Sequence, residues 1–444
     1  MLLDSIAGEG KAGWGRLVLV IGAAFAVSVA LLALPGHARS TGYEYDPSFG
    51  KPGSRGVAVP VQDGSIADLL PLPGGKILFA GRQSAKAAGK DGARFLVGRL
   101  NADGSRDSSF GDDGQARVPA FANDGFAASV IKAPGGGFFV AGNVGDARDS
   151  TSHPAVFRIH GDGSLDRSFR PYRGSTPKLG PHSFTRLSID SKGRVVAIGS
   201  LLQMLDRKKS VLVMRFRPQG GLDGSFGLAG HLVISTHRKG RNYGTKVIPL
   251  SGGRLLINGN LGRSPFVART LDSGALDSKF GGGDGFISLP VGPALKCERT
   301  HPCTNVDMVR LSNGRIRVLT DFEPYEFTWR PYIVGLTASG RIDREFGDKG
   351  RLAMAHWGAD PKGAVDLLAR KDGSMIVIGN KDGLSFQAIA QRVTSTGHFD
   401  SGFGKNGTLG IAGESAHGGT LLPNGDLLTL SEKWGRSLIQ KFRR

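Results

Sequence analysis

The chain has 444 residues with 69 Gly, 8% aromatic residues and 39% hydrophobic residues, enough apolar side chain for a large core but too many turn formers for a helical protein. Its formal charge is +19 and it has two cysteines, which excludes a fold stapled by a disulfide framework. The apolar residues fall in short runs such as "KILFAG" (76–81), "RVVAIGS" (194–200) and "SMIVIG" (374–379), which excludes a disordered chain and favours many short strands.

The first element is residues 1–38: a head with Lys11 and Arg16, an apolar run at 17–34, then Gly36 and Ala38. It reads as a signal peptide cleaved after Ala38; because the run just reaches spanning length, an uncleaved signal anchor, with membrane anchoring through residues 17–34, is the alternative. Either reading exports residues 39–444 to the cell envelope or the extracellular space. Lys11 and Arg16 are balanced by Asp4 and Glu9, so the exported part keeps the whole positive charge and should adhere to polyanions, namely anionic wall polymers, lipid headgroups or extracellular nucleic acid; the alternative is that this dispersed charge only maintains solubility. The short basic clusters at 206–209, 237–241 and 441–444 stand beside no nucleic-acid motif, so specific nucleic-acid recognition is not expected.

From residue 46 onward one motif, Asp-x-x-Phe, recurs seven times, with Phe at 49, 110, 169, 226, 280, 346 and 403, successive copies lying 54–66 residues apart. A second landmark keeps the same beat: a Gly turn followed by an apolar strand, as in "PGGKILFAG" and "SGGRLLING". Units of this size cannot bury their apolar faces alone and must lean on one another. Residues 350–403 read as four strands, "GRLAMA", "GAVDLLAR", "SMIVIG" and "FQAIAQRV", in an antiparallel meander closed by the next Asp-x-x-Phe. The fold class expected is all-β: a seven-bladed β-propeller of four-stranded antiparallel blades over residues 39–444, preceded by the signal or anchor segment. Residues 39–49 and the stretch after Phe403 together amount to nearly one repeat, so the two ends should share a blade and close the ring.

Asp-x-x-Phe is placed by this reading between the last strand of one blade and the first of the next, with Asp satisfying turn N–H groups, Phe plugging the gap between blades and Gly taking positive φ. Calcium binding at "NADGSRD" (101–107) is the functional rival, but the full loop spacing and the distal Glu are absent, so no metal site and no cofactor are expected.

The stretches "LNADGSRDSSFGDDG" (100–114) and "PGGKILFAG" (73–81) resemble the two landmarks of the delta-60 repeat family. The resemblance covers essentially residues 43–444, with a departure at Arg170. It implies an exported or surface bacterial protein of propeller-like fold and no common activity.

In a four-stranded meander alternate connections share a face, so the stereotyped Gly turns and Asp-x-x-Phe corners occupy one face and the variable connections the other, where loops on a rigid scaffold carry specificity. Beyond residue 38 the only Trp residues are Trp329, Trp357 and Trp434, all placed in variable connections of blades 5 to 7. With Tyr325, Glu323, Glu326 and Arg330 they suggest an aromatic platform with a polar rim for a sugar or peptide; the alternative is that the indoles only pack their loops down. Cys297 and Cys303, in "CERTHPC", suit a disulfide that stiffens one loop in an oxidising compartment. "GESAH" (413–417) ends in His where a nucleophile elbow needs Gly, and is read as a loop. No catalytic residue is assigned. The expected function is a monomeric binding module for an envelope glycan, an anionic polymer or a surface protein. The alternative is a propeller lyase or hydrolase acting on a polysaccharide or wall component, and a cluster of ionisable groups at the channel would favour it. A third reading is a surface protein held to the envelope by charge alone.

Overall fold

Strand β1 (Glu44–Tyr45) and strand β2 (Val57–Ala58) precede the first blade, which is built from β3 (Gly64–Pro71), β4 (Ile77–Gln83) and β5 (Arg94–Leu100). Blade 2 follows with β6 (Gly125–Lys132), β7 (Phe138–Asp146), β8 (Thr151–Ile159) and β9 (Tyr172–Arg173), and blade 3 with β10 (His182–Ile189), β11 (Val195–Leu202), β12 (Lys209–Phe216) and β13 (His231–Ile234). Blade 4 contains β14 (Tyr243–Pro249), β15 (Leu255–Leu261), β16 (Ser264–Thr270) and β17 (Phe286–Ser288). Blade 5 contains β18 (Cys303–Arg310), β19 (Ile316–Tyr325), β20 (Thr328–Leu336) and β21 (Arg351–Ala353). Blade 6 contains β22 (Ala364–Ala369), β23 (Met375–Lys381), β24 (Gln387–Val393) and β25 (Thr408–Gly410), and blade 7 contains β26 (Ser415–Leu421), β27 (Leu427–Lys433) and β28 (Arg436–Arg443). This computed structural model describes residues 42–84, 94–116, 125–146, 151–174, 182–202, 209–235, 242–290, 303–325, 328–354, 363–381 and 387–444. The leader expected at 1–38 lies outside them.

The described strands form five four-stranded sheets and one eight-stranded sheet. The larger sheet is two blades joined at a single parallel bridge, Arg436 to Gly64. Within it β1 and β2 both pair antiparallel with β28, so the amino-terminal segment supplies the outer edge of blade 7 and closes the ring, as the arithmetic of the chain ends anticipates. Seven hydrophobic clusters fill the seven junctions between neighbouring blades, the last joining Leu428, Leu430 and Ile439 of blade 7 to Ile66, Ile77 and Phe79 of blade 1. The molecule is a closed seven-bladed propeller. Middle strands are sandwiched on both faces and therefore read as continuous apolar runs: every residue of β15, Leu255–Leu261, is buried. First strands contact first strands of adjacent blades (β3 with β6, β10 with β14, β18 with β22), which makes them the innermost strands, lining the channel.

One part of the sequence reading is corrected. Asp-x-x-Phe lies between the third and fourth strands of one blade, as Asp223–Phe226 lies between β12 and β13, and not between blades. The unit read over 350–403 accordingly straddles a boundary: β21 is the outer strand of blade 5, while β22 to β24 belong to blade 6. A periodic pattern has no origin, and only strand pairing shows where a blade begins.

The roles read for the motif hold. Asp107 Oδ1 accepts the N–H of Ser109 at 3.2 Å and its hydroxyl at 2.6 Å, and the same turn recurs at Asp166 and Asp223. Phe110 is fully buried between blades 1 and 2, and the next N–H, from Gly111, donates to the Asp162 carbonyl of blade 2 at 2.7 Å. A further partner was not anticipated: an Arg eight residues before the Asp, as at Arg99, Arg215, Arg269 and Arg392. Arg99 Nε donates to Asp107 at 2.6 Å while its guanidinium lies over the Phe110 ring at 4.6 Å. Lys76 of the Gly hairpin binds the same carboxylate at 2.7 Å, so the two sequence landmarks share one face and are tied by ion pairs. Burial would raise the Asp107 carboxyl, but Lys76, Ser109 and Arg99 outweigh it and hold it well below the usual carboxylate range.

Candidate functional site

Each innermost strand carries one register break, a β-bulge: between Ile66 and Asp68, Ala127 and Ser129, Phe184 and Arg186, Gly244 and Lys246, Asn305 and Asp307, Ala364 and Asp366, and Ala416 and Gly418. A bulge re-aims the side chains beside it. The residues that follow the breaks form a ring around the channel, in blade order Asp68, Ser129, Arg186, Lys246, Asp307, Asp366 and Gly418. Arg186 of blade 3 is under the field of Asp68, Asp366 and Asp307 from blades 1, 6 and 5, which only an arrangement across a common channel allows.

The ring is a relay from blade to blade. Asp68 Oδ2 accepts the Val130 N–H of blade 2 at 2.9 Å and the Ser129 hydroxyl at 2.9 Å. Ser129 Oγ accepts the Leu187 N–H of blade 3 at 3.2 Å. Asp307 Oδ2 accepts the Leu367 N–H of blade 6 at 3.2 Å, and Asp366 Oδ2 the Gly419 N–H of blade 7 at 2.9 Å. In each case the acceptor sits at the ring position of one blade and the donating N–H is one residue past the ring position of the next; the Ser129 hydroxyl adds a bond from the ring position itself. Ser129→Ala removes both of its bonds and should cost about 1–2 kcal/mol; a shift of the urea midpoint at unchanged slope measures it, and a change within about 0.3 kcal/mol would deny the relay a role in stability.

Cations interrupt the relay. Lys246 binds Asp307 at 2.9 Å, and Arg186 faces Asp68 at 3.5 Å. Burial pushes the Asp366 carboxyl up, and neighbouring Asp307 pushes it further. Burial opposes the charge of Arg186, but the three carboxylates outweigh it and raise its pKa. The channel thus holds the ionisable cluster that no linear motif revealed. Its signal in the sequence is faint: the ring residue stands six or seven residues before a hairpin glycine and is followed by an apolar pair only in blades 1, 2, 4, 5 and 6, as in "DLL" (68–70) and "DMV" (307–309).

On the variable face the hairpin between β27 and β28 is two residues long, Trp434 and Gly435, with φ of 53° and 73°. Positive φ at both central residues is the requirement of a type I′ turn, normally met by Asn-Gly. A bulky aromatic in the left-handed region is an outlier whose cost points to a use. Trp434 is 79% exposed, and the Lys433 ammonium lies 4.5 Å from its ring centroid.

The other residues singled out in the sequence are placed as follows. Arg330 is exposed in β20 of blade 5, two blades from Trp434, and no contact joins the two among the described residues. Glu323, Tyr325 and Trp329 fall in β19 and β20, but their side chains are outside the description, as are residues Glu326, Trp357 and Cys297 altogether. Cys303 is fully buried at the start of β18. Ser415 to His417 of "GESAH" belong to the innermost strand β26 and not to a loop. His417 is the bulge residue of that strand, with Nε2 3.3 Å from Glu432.

The family model described as "Domain of unknown function (DUF5122) beta-propeller" matches residues 72–110 and 139–169. No curated protein matches the sequence. Among solved structures, a protein of unknown function from Dyadobacter fermentans is 12% identical over 87% of this chain and 97% of its own, with a TM-score of 0.41. Sqt1 from Chaetomium thermophilum is 10% identical over 87% and 82%, with a TM-score of 0.46. A protein from Lactobacillus plantarum is 13% identical over 76% and 83%, with a TM-score of 0.43.

Proposed function

For a chain that carries DUF5122 β-propeller (delta-60) repeats, we propose that it is an exported, monomeric binding module that engages an envelope glycan through the variable face. The observation that carries this reading is Trp434, 79% exposed and held at a φ of 53° beside a lysine. An exposed indole with a cation against it is a stacking surface for a sugar ring with a handle for an anionic substituent. The charge of +19 adds general adhesion to anionic wall polymers. Residues 1–38 act as the signal peptide or anchor that brings the propeller to the envelope, and a Cys297–Cys303 bond stiffens the loop before β18; that Cys303 is not a free thiol supports the pairing.

The enzyme reading has the channel cluster in its favour, yet the geometry suits it poorly. A glycoside hydrolase separates its two carboxyl groups by about 5–10 Å to admit a sugar or a water, whereas Asp307 and Asp366 share the Leu367 N–H at 3.2 and 2.9 Å. Both are committed to holding blades together.

Trp434→Asn tests the binding reading. Asn accepts the left-handed conformation, so the variant should be more stable by about 1 kcal/mol while losing retention on isolated envelopes. Unchanged retention by a folded Trp434→Asn protein would remove the hairpin from the site.

A further inference from the structure

On the face of the Gly hairpins and Asp-x-x-Phe corners, neighbouring blades are tied by a repeated bond. The N–H after the corner Phe donates to a carbonyl in the turn that follows the third strand of the next blade, as Gly50 to Asp103, Gly227 to Ser273 and Gly347 to Thr396, at 2.7–2.9 Å at six junctions. At three of them the clamp arginine also donates to the carbonyl one residue earlier in that turn: Arg99 to Gly161, Arg215 to Asp272 and Arg269 to Ala338, at 2.6, 2.7 and 3.1 Å. Between blades 6 and 7 neither bond is made among the described residues. Gly404 is exposed there, and Arg392 places Nε on Asp400 at 2.6 Å and a second nitrogen on the same carboxylate, with no carbonyl bound across the junction.

A trough opens in that place, made of two adjoining cavities of about 460 and 550 Å³ that share Arg370, Asp372 and Arg444. Lys371 lines the first and Arg392 the second, so four cationic side chains face two acidic ones, Asp372 and Asp400. Both acids are engaged locally: Asp400 holds Arg392 and the Gly402 N–H, and Asp372 the Ser374 N–H and hydroxyl. Arg370 and Arg392 form the floor, with side chains 7% and 12% exposed, while Lys371 and Arg444 are exposed at the rim. Arg370 binds Ser374 and Asp372 through one terminal nitrogen, both at 3.2 Å; its other two nitrogens have no hydrogen bond among the described residues, and the Arg444 side chain has no ion pair among them. The three guanidinium groups meet around one point. Burial raises the Tyr43 hydroxyl, and Arg370, Arg444 and Arg392 all stand near enough to oppose that rise.

We propose that this trough binds a chain of phosphodiester groups, a polymer without bases, whose phosphates rest on Arg370, Arg392 and Arg444 and continue past Lys371. Phosphate oxygens take the place of the turn carbonyls that tie the other junctions. Guanidinium forks arriving from the ends of β22 and β28 and from β24 reach the oxygens of a tetrahedral phosphate from different sides, where a flat carboxylate serves fewer of them. The two-part, open shape suits a chain better than a single ion. No aromatic side chain lines either cavity, so nucleic-acid bases would find no stacking surface. The Gly425 turn precedes β27 and Trp434 follows it, which puts the trough on the face opposite the Trp434 hairpin and makes it independent of the reading of that hairpin.

The test is calorimetric titration of the full-length protein with poly(glycerol phosphate) at fixed ionic strength, with single-stranded DNA and polyglutamate of equal charge in parallel. The expected result is saturable binding of poly(glycerol phosphate), weakened about tenfold or more by Lys371→Gln with Arg444→Gln. Arg341→Gln with Arg344→Gln removes the same charge from exposed positions on the same face of blade 5 and should change the affinity less than about twofold. The rim pair is exposed and should fold; a circular-dichroism melt checks this, and Arg370→Gln, expected to weaken binding as much, carries the test if the pair does not fold. DNA and polyglutamate should bind more weakly. Absence of saturable binding, an equal loss in the blade 5 variant, or DNA or polyglutamate bound as tightly as poly(glycerol phosphate) overturns the proposal. Trp434→Asn should leave the titration unchanged, which separates this result from the fate of the variable-face site.

Discussion

Arg215→Ala is expected to lower the unfolding free energy by about 3–5 kcal/mol, the loss that follows when one member of a buried charge network is removed. Arg215 has no solvent exposure. Its Nε donates to Asp223 at 2.7 Å, and one terminal nitrogen donates to both the carbonyl and the carboxylate of Asp272 in blade 4, at 2.7 and 2.8 Å. Its plane lies 4.6 Å from the Phe226 ring centroid. Truncation takes the nearest cation from the Asp223 carboxylate and leaves it Ser225 and the more distant Arg194, unseats the stacked ring and loosens the bond between blades 3 and 4. Arg215→Lys should recover only part of the loss, because an ammonium lacks the planar fork that reaches two carboxylates and stacks on a ring. Urea denaturation with both variants measures this; a loss below about 1 kcal/mol for Arg215→Ala would place the network among surface-like pairs of little worth.

Asp321→Asn is expected to stabilise the protein in neutral and mildly alkaline solution while changing little in acid. In blades 4 and 6 the equivalent residues are Asn260 and Asn380, whose Oδ1 atoms accept the N–H of the next blade's inner strand, from Asn305 and Ala416, at 2.8 Å. Blade 5 has Asp321 in that place, accepting from Ala364, and burial pushes its carboxyl up to about 7. Its Oδ1 is buried without a hydrogen-bond partner among the described residues, so the neutral acid is the form that mimics Asn. Folding therefore takes up a proton between the ordinary carboxylate pKa and about 7: the contribution of Asp321 is fully present below about pH 4, falls as pH rises, and is lost above about pH 7. Between pH 5 and pH 8 the wild type should lose about 2–3 kcal/mol more than Asp321→Asn. Asp366, raised in the same direction, contributes equally to both proteins and cancels in the comparison. Parallel stability curves for the two proteins over that range would contradict the assignment.

What was legible in the sequence is what repeats as local chemistry. Gly turns and Asp-x-x-Phe corners recur because every blade needs the same turn and the same plug, and seven copies of each sufficed to count the blades. The starting point of a blade was not legible, since a repeat looks alike in any phase; the pairing of β1 and β2 with β28 settles it. The Arg that clamps each corner was present in the sequence but buried inside apolar strands such as "VLVMRF" (211–216), where one cation reads as a surface residue. The channel ring was hidden for a different reason. Its members are Asp, Ser, Arg, Lys, Asp, Asp and Gly, about one repeat apart and chemically unlike, so position recurs while residue type does not. Trp434 drew notice through scarcity alone; that it occupies a left-handed turn is a fact of backbone geometry, since the same dipeptide would fit a longer loop.

The salt dependence of binding separates the proposed recognition through the variable face from adhesion by charge. Full-length protein would be passed over immobilised envelope glycan and, separately, an immobilised anionic polymer, from low to high ionic strength. Screening should abolish contacts between exposed charges and leave a stacking contact largely intact. Glycan binding should persist at high salt and disappear with Trp434→Asn. Binding to both surfaces that vanishes together with added salt and ignores Trp434 would contradict this, and would reduce the proposed adhesion to charge alone.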